Sequence, residues 1–138
     1  MQQTISINSH PQDAYRRQNV MTANSLDLIV LLYDALKKNI MRGKKGIIKN
    51  NAYFAHTHLM KAQEILTELV NCLDMNYEIS EDLLNLYEFF IINIGEANLK
   101  KDAAPLEPVI EMVETLRSAW AEISVSNKGS LYASEGQG

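Results

Sequence analysis

Apolar residues recur at intervals of three and four along most of this chain, and this spacing restricts the fold more than any other feature. The clearest case lies between residues 52 and 73, where Ala and Leu alternate between the two intervals. The members of this seam are Ala52, Ala55, Leu59, Ala62, Leu66, Leu69 and Leu73. Such spacing places them on one face of an α-helix that packs lengthwise against neighbouring helices.

Three other segments show the same helical period. The first begins at Asn24, a residue suited to an N-cap, and is predicted to run to about Lys49. The third is predicted to begin at Ser80, and the fourth has Pro105 in its first turn, where no backbone donor is needed. The expected seam of the third helix is Leu83, Tyr87, Phe90, Ile94 and Ala97. That of the fourth is Leu106, Val109, Val113, Leu116, Trp120 and Ile123.

Because no segment shows the alternation of a half-buried strand, the predicted fold class is all-α. Four helices with short connections predict an antiparallel up-down four-helix bundle, preceded by a short mobile N-terminal segment. A chain of 138 residues fits one domain. The predicted boundaries are a flexible N-terminal tail at 1–13, the bundle with its N-terminal segment at 14–125, and a flexible C-terminal tail at 126–138.

The first helix carries more apolar surface than a bundle seam requires. At about 100° per residue its apolar side chains form three stripes. They are Ile29, Leu32, Leu36 and Ile40; then Leu26, Val30 and Tyr33; then Leu28, Leu31 and Ala35. The surplus fits a surface that binds another protein, a central helix with several neighbours, or an interface between two copies of the chain.

Composition and motifs argue against several other functions. A net charge of −4 argues against nucleic acid as a partner. The Glu-x-x-His pairs of di-iron bundles are missing, and Cys72, the single cysteine, has no neighbouring histidine that would activate it. We therefore expect no enzyme activity, cofactor or metal. No apolar run reaches the length of a membrane span, so we expect a cytoplasmic protein without membrane insertion.

Several short segments, taken in order, resemble the FliS family of flagellin-specific export chaperones. They are AY at 14–15 with Asn19, VMTANS at 20–25, LIVLLYDAL at 28–36, LLNLYEFF at 83–90, EANLKKD at 96–102 and RSAWAEI at 117–123. The resemblance extends from about residue 14 to residue 124. It rests on the order and spacing of the segments more than on any one of them.

This resemblance implies an antiparallel helical bundle that binds the C-terminal segment of flagellin and keeps it from polymerising prematurely. The chaperone would then pass flagellin to a membrane-embedded gate protein of the flagellar type III export apparatus, without using ATP. We expect the free protein to be a monomer or a weak homodimer. The alternative is a homo-oligomeric structural bundle that has no client.

Apolar positions away from the main seams are the candidates for a flagellin-binding groove. They are Leu26, Val30 and Tyr33 of the first helix, and Phe89 and Ile92 of the third. Tyr33 would equally suit a core position. Tyr15 and Asn19 match the N-terminal motif of the family, which implies that they belong to a mobile lid over this groove.

Overall fold

The computed structural model describes the backbone of residues 25–137 and the side chains of residues 26–126. Within this range the chain is helical and contains no strand. The helices are α1 (Ser25–Ile48), α2 (Ala52–Asn71), α3 (Glu78–Lys100) and α4 (Leu106–Gln137). The predicted all-α class with four helices is confirmed, whereas the predicted mobile segment and the Asn24 cap lie outside the described residues.

The chain divides into two compact units. A central unit comprises Leu32–Arg117, and the described residues 25–31 and 118–137 belong to a terminal unit. The central unit contains α2, α3, most of α1 and the first part of α4. It therefore holds the bundle by itself, and the two units are described separately.

Polar contacts in the central unit show that α1 runs antiparallel to α4, and α2 antiparallel to α3. Residue numbers rise along α1 as they fall along α4 in the ion pairs Asp34–Arg117, Lys37–Glu114 and Lys44–Glu107. Between α2 and α3, the Gln63 side-chain amide donates to the Ile91 carbonyl over 3.0 Å, and Asn98 lies 3.0 Å from the His56 ring nitrogen. These contacts confirm an up-down arrangement.

The core of the central unit consists of one apolar seam from each helix. Its buried members are Tyr33, Leu36 and Ile40 of α1; Ala55, Leu59, Ala62, Leu66 and Leu69 of α2; Leu83, Tyr87, Phe90, Ile94 and Ala97 of α3; and Leu106, Val109 and Val113 of α4. The seam predicted for α3 is buried in full, and that for α2 is buried except at its two ends. Burial of these side chains is the main force that holds the helices together.

The ends of α1 and α2 approach so closely that the contact has room only for glycine. A β-carbon added to Gly46 would lie 2.7 Å from the Ala55 nitrogen and 2.9 Å from its α-carbon. One added to Gly43 would overlap the side chain of Leu59. Both glycines are buried. They are therefore packing residues, and not only weak points of the helix.

Asparagines close the short connection between these two helices. Asn50 adopts a left-handed conformation (φ 58°), which asparagine tolerates better than most residues, and the Asn51 amide donates to the Gly46 carbonyl over 2.8 Å. The Asn51 side chain then accepts a hydrogen bond from the Phe54 amide at 3.1 Å and caps α2. The connection between α1 and α2 is therefore only three residues long, and its two asparagines shape the turn and cap α2.

Two predicted helix starts are wrong by a few residues. Helix α3 begins at Glu78, and Ser80 lies inside its first turn, where its buried hydroxyl donates to the Asp74 carbonyl over 2.6 Å. Acidic residues in that turn complement the helix dipole without a side-chain cap. Helix α4 begins just after Pro105, whose carbonyl accepts from the Asn93 amide at 3.1 Å.

The backbone of α4 stays helical to Gln137, through the range predicted as a C-terminal tail. No proline follows Pro108 to stop it, and a single glycine costs a helix only about 1 kcal/mol.

In the terminal unit, Leu26 and Val30 are half-buried, and the buried Ser124 hydroxyl donates to the Asp27 carboxylate. Trp120, predicted to lie in the core, is half-buried.

The close approach of α1 and α2 predicts that Gly46→Ala lowers stability even though alanine favours helix. The gain in helix propensity is about 1 kcal/mol, whereas overpacking against backbone atoms costs about 1–3 kcal/mol. We expect a net loss in the free energy of unfolding measured with denaturant. Gly95→Ala is the matched control, because its nearest neighbour is the flexible tip of Gln63 at 3.2 Å. Equal effects of the two substitutions would contradict this account of the packing.

Candidate functional site

Phe89 and Ile92 leave apolar surface exposed on the outer side of α3. Phe89 is 39% exposed and Ile92 is 69% exposed. They lie three residues apart, so they share one side of the helix, away from the buried seam. Both therefore occupy the kind of position that was predicted for a binding surface.

An open apolar depression of about 280 Å³ lies between α3 and α4. Its apolar lining comes from Leu86, Met112 and Leu116, and Glu111 and Thr115 stand at its edge. Leu86 precedes Phe89 by one helical turn. The sequence prediction missed the depression because it depends on which side of α4 packs beside α3, and the helical period of either segment alone does not determine this.

Tyr33 is a core residue and does not contribute to the surface of the bundle. Its side chain is fully buried, and its hydroxyl lies 2.6 Å from that of Tyr87. Burial, together with the neighbouring Tyr33, raises the pKa of Tyr87, so the pair stays protonated and hydrogen-bonded. The prediction that Tyr33 lies in an accessible groove does not fit this burial, whereas the alternative prediction of a core position does.

The remaining predicted site residues belong to different units of the chain or lie outside the described residues. Leu26 and Val30 are half-buried in the terminal unit, whereas Phe89 and Ile92 belong to the central unit. Tyr15 and Asn19 lie outside the described residues. A groove formed by all of these side chains stays a prediction.

Each histidine in the described range lies within hydrogen-bonding distance of an asparagine, and Cys72 is an exposed free cysteine. The His58 Nδ1 atom lies 2.9 Å from the Asn39 side-chain oxygen. Burial and the neighbouring Glu68 raise the pKa of the Cys72 thiol, which disfavours the reactive thiolate. Among the described residues, no group of three His, Cys, Asp or Glu side chains is arranged to hold a metal ion.

The surroundings of His58 are positively charged. Burial lowers the pKa of His58 below its usual 6.5, and the nearby Arg42 and Lys61 lower it further. Because the unfolded chain then binds a proton more readily, this residue favours folding above about pH 6.5, and that contribution is lost as the pH falls. Arg42 and Lys61 thus place two cations beside one histidine.

We expect an NMR titration of His58 to give a midpoint below 6.5 in the folded protein. Arg42→Gln should raise this midpoint, though not to 6.5, since burial is the larger cause. Lys38→Gln removes the same charge from the same helix and should change it less. A midpoint at or above 6.5 in the unmodified protein would contradict the described surroundings of the ring.

None of the helices in the described part of the chain is both long enough and apolar enough to cross a membrane. What these helices form is a small all-α bundle with a closed core and with apolar side chains left on its outer faces. Comparison with known proteins then defines the family. The family model described as "Flagellar protein FliS" matches residues 7–127. The chain belongs to the FliS family.

Individual relatives match over nearly their full length. A flagellar secretion chaperone FliS from Bacillus subtilis is 29% identical over 127 residues, which cover 92% of this chain and 96% of the relative. The protein of the same name from Vibrio cholerae is 29% identical over 116 residues, covering 80% and 85%. That from Escherichia coli is 27% identical over 110 residues, covering 78% and 81%.

Proposed function

We propose that this chain is a flagellar export chaperone that binds the C-terminal segment of flagellin in the cytoplasm. It would prevent premature polymerisation and deliver flagellin to the flagellar type III export apparatus. The observation that carries the proposal is the family match across residues 7–127. The relatives named as flagellar secretion chaperones cover most of the chain and are of similar length.

The central unit offers a physical basis for holding such a client. Its core uses one seam per helix, so the outer apolar side chains of α3 are not needed to hold the bundle together. Phe89 and Ile92 are partly accessible, and the depression between α3 and α4 is lined mainly by apolar groups. An amphipathic helix binds such a surface by placing its own apolar face against it.

A protein that only binds and releases its client needs no catalytic centre. The roles of Leu26 and Val30 in the groove, and of Tyr15 and Asn19 in a lid, are part of the proposal. Tyr33 is left out of the client surface because it is fully buried.

Exposed apolar helix faces could instead pair two copies of the chain. In that case the protein would be a homo-oligomeric bundle without a client. Light scattering after size-exclusion chromatography separates the two possibilities. A client-binding protein should form a complex of about 1:1 with a flagellin C-terminal segment, whereas a structural oligomer should remain a dimer on dilution and ignore flagellin.

The candidate surface predicts that Ile92→Asp weakens flagellin binding without unfolding the bundle. Burial of an isoleucine against a partner contributes about 1.5–3 kcal/mol, so its loss should raise the dissociation constant at least about tenfold. Isothermal titration with a flagellin C-terminal peptide measures this. Ile79→Asp is the matched control, because Ile79 is 60% exposed but lies in the first turn of α3, about 20 Å along the helix from Ile92.

Thermal unfolding of the free protein should be nearly the same for both variants, because both side chains are mostly exposed. Binding that is equally affected by Ile79→Asp and Ile92→Asp would remove this face of α3 from the client surface. A complete lack of flagellin binding by the unmodified protein would overturn the proposed function itself.

A further inference from the structure

Charged residues are strongly segregated along the middle of the chain. Every charged side chain between residues 35 and 61 is a lysine or arginine. Every charged side chain between residues 62 and 99 is an aspartate or glutamate. The net charge of −4 therefore conceals a basic segment followed by an acidic one.

Antiparallel packing converts this segregation into a difference between the two ends of the central unit. The C-terminal half of α1 and the N-terminal half of α2 meet at the α1–α2 connection, and both are basic. The C-terminal half of α2 and the N-terminal half of α3 meet at the opposite end, and both are acidic. Acidic residues of α3 and α4 near the basic end are engaged, since Glu96 pairs with Lys100 and Glu107 with Lys44.

Four cations, three on α1 and one directly after its last residue, form one exposed stripe on this basic end. They are Lys38, Arg42, Lys45 and Lys49, and their spacing of four, three and four places them on one side of the helix. Lys37 and Lys44, on the side toward α4, form ion pairs with Glu114 and Glu107. Within the described part of the chain, no carboxylate lies within 4 Å of any cation of the stripe.

Large apolar side chains stand beside this stripe. Met41 and Ile48 are 42% and 64% exposed and lie seven residues apart, so they share a side of α1. Tyr53, in the first turn of α2, is 82% exposed. Together with the stripe, these three side chains are called the basic tip. A shallow depression of about 350 Å³ lies between Met41 and Ile48, among the basic side chains of α1.

We propose that the basic tip is a docking surface for an anionic membrane. The cations would contact acidic lipid headgroups, and Ile48 and Tyr53 would enter the interface between headgroups and acyl chains. This inference goes beyond the proposed chaperone function. It concerns α1 and α2, and none of its residues belongs to the candidate client surface.

A membrane fits these observations better than an acidic protein partner. Ile48 ends α1 and Tyr53 is the second residue of α2, so both lie next to the three-residue turn at the end of a helical hairpin. Side chains there project outward and offer little continuous contact area to a folded partner, but they can enter a bilayer surface. Tyrosine is among the residues enriched at membrane interfaces, and interspersed lysines are typical of interfacial helices.

The surroundings of His58 agree with a positive potential on this part of the molecule. Burial is the largest cause of the lowered pKa of this histidine, and Arg42 of the stripe and Lys61 lower it further, as expected where cations are not neutralised by nearby acids. Lys61, on α2, extends the basic region past the stripe. A surface with this potential attracts anionic headgroups and is screened by salt.

Flotation of the full-length protein with vesicles tests the proposal without any flagellin. The protein should float with mixed phosphatidylcholine and phosphatidylglycerol vesicles, and not with phosphatidylcholine alone. The triple variant Arg42→Gln, Lys45→Gln, Lys49→Gln should bind the anionic vesicles at least about tenfold more weakly. The control triple variant Asn71→Asp, Asn76→Asp, Asn85→Asp has the same net charge but changes the acidic end, and it should bind nearly as the unmodified protein does.

A second pair of variants separates membrane docking from simple attraction between charges. Ile48→Ser with Tyr53→Ser should weaken vesicle binding, whereas Met75→Ser with Tyr77→Ser, at the acidic end, should not. All of these side chains are exposed, and circular dichroism should show unchanged helix content. The proposal is overturned if anionic vesicles do not bind the protein, if the two triple variants behave alike, or if the tip binds an acidic peptide or RNA but no vesicle.

Discussion

The contact between Gly46 of α1 and Ala55 of α2 is the constraint on which the rest of the structure depends. Two helix backbones meet there with no room for a β-carbon on Gly46. The left-handed Asn50 and the capping Asn51 then reverse the chain within three residues. Because the hairpin is closed so tightly, Ile48 and Tyr53 are left at its outer end, and the seams of α1 and α2 face each other within the central unit.

Once the seams are aligned, the four helices need little more than one apolar stripe each. The buried Tyr33–Tyr87 hydroxyl pair satisfies both polar groups within an otherwise apolar core. Side chains outside the seams are then free for binding. The outer side of α3 and the depression beside α4 suit an apolar client, and the basic tip suits a negatively charged surface. The proposed chaperone would thus use separate surfaces for its client and for the membrane.

Much of the fold could be predicted from the sequence because apolar spacing decides which side of a helix is buried. The seam of α3 is the clearest case, since each of its five predicted members is buried. Tyr33 was misplaced because α1 is apolar on several sides, and its periodicity alone does not show which stripe faces the core. The depression around Leu86 and Met112 could not be predicted, because it depends on the packing of two segments that are distant in sequence.

Two features of the sequence outside the apolar seams also bear on the structure. Gly43 and Gly46, three residues apart, occupy the same side of a helix, which is a pattern that permits close helix packing. The total charge was used to describe the whole chain, whereas the order of the charges along it distinguishes a basic end from an acidic one. The predicted start of α3 at Ser80 is late because the acidic Glu78 already suits the start of a helix.

The central claim is that flagellin is held on the outer apolar face of α3 and the neighbouring depression, while the core stays closed. Hydrogen–deuterium exchange of the protein, alone and with a flagellin C-terminal segment, tests it most directly. We expect added protection in peptides that contain Phe89, Ile92 and Met112, and unchanged exchange near the turn of residues 49–51. Protection confined to other regions, or no change on adding flagellin, would contradict the claim.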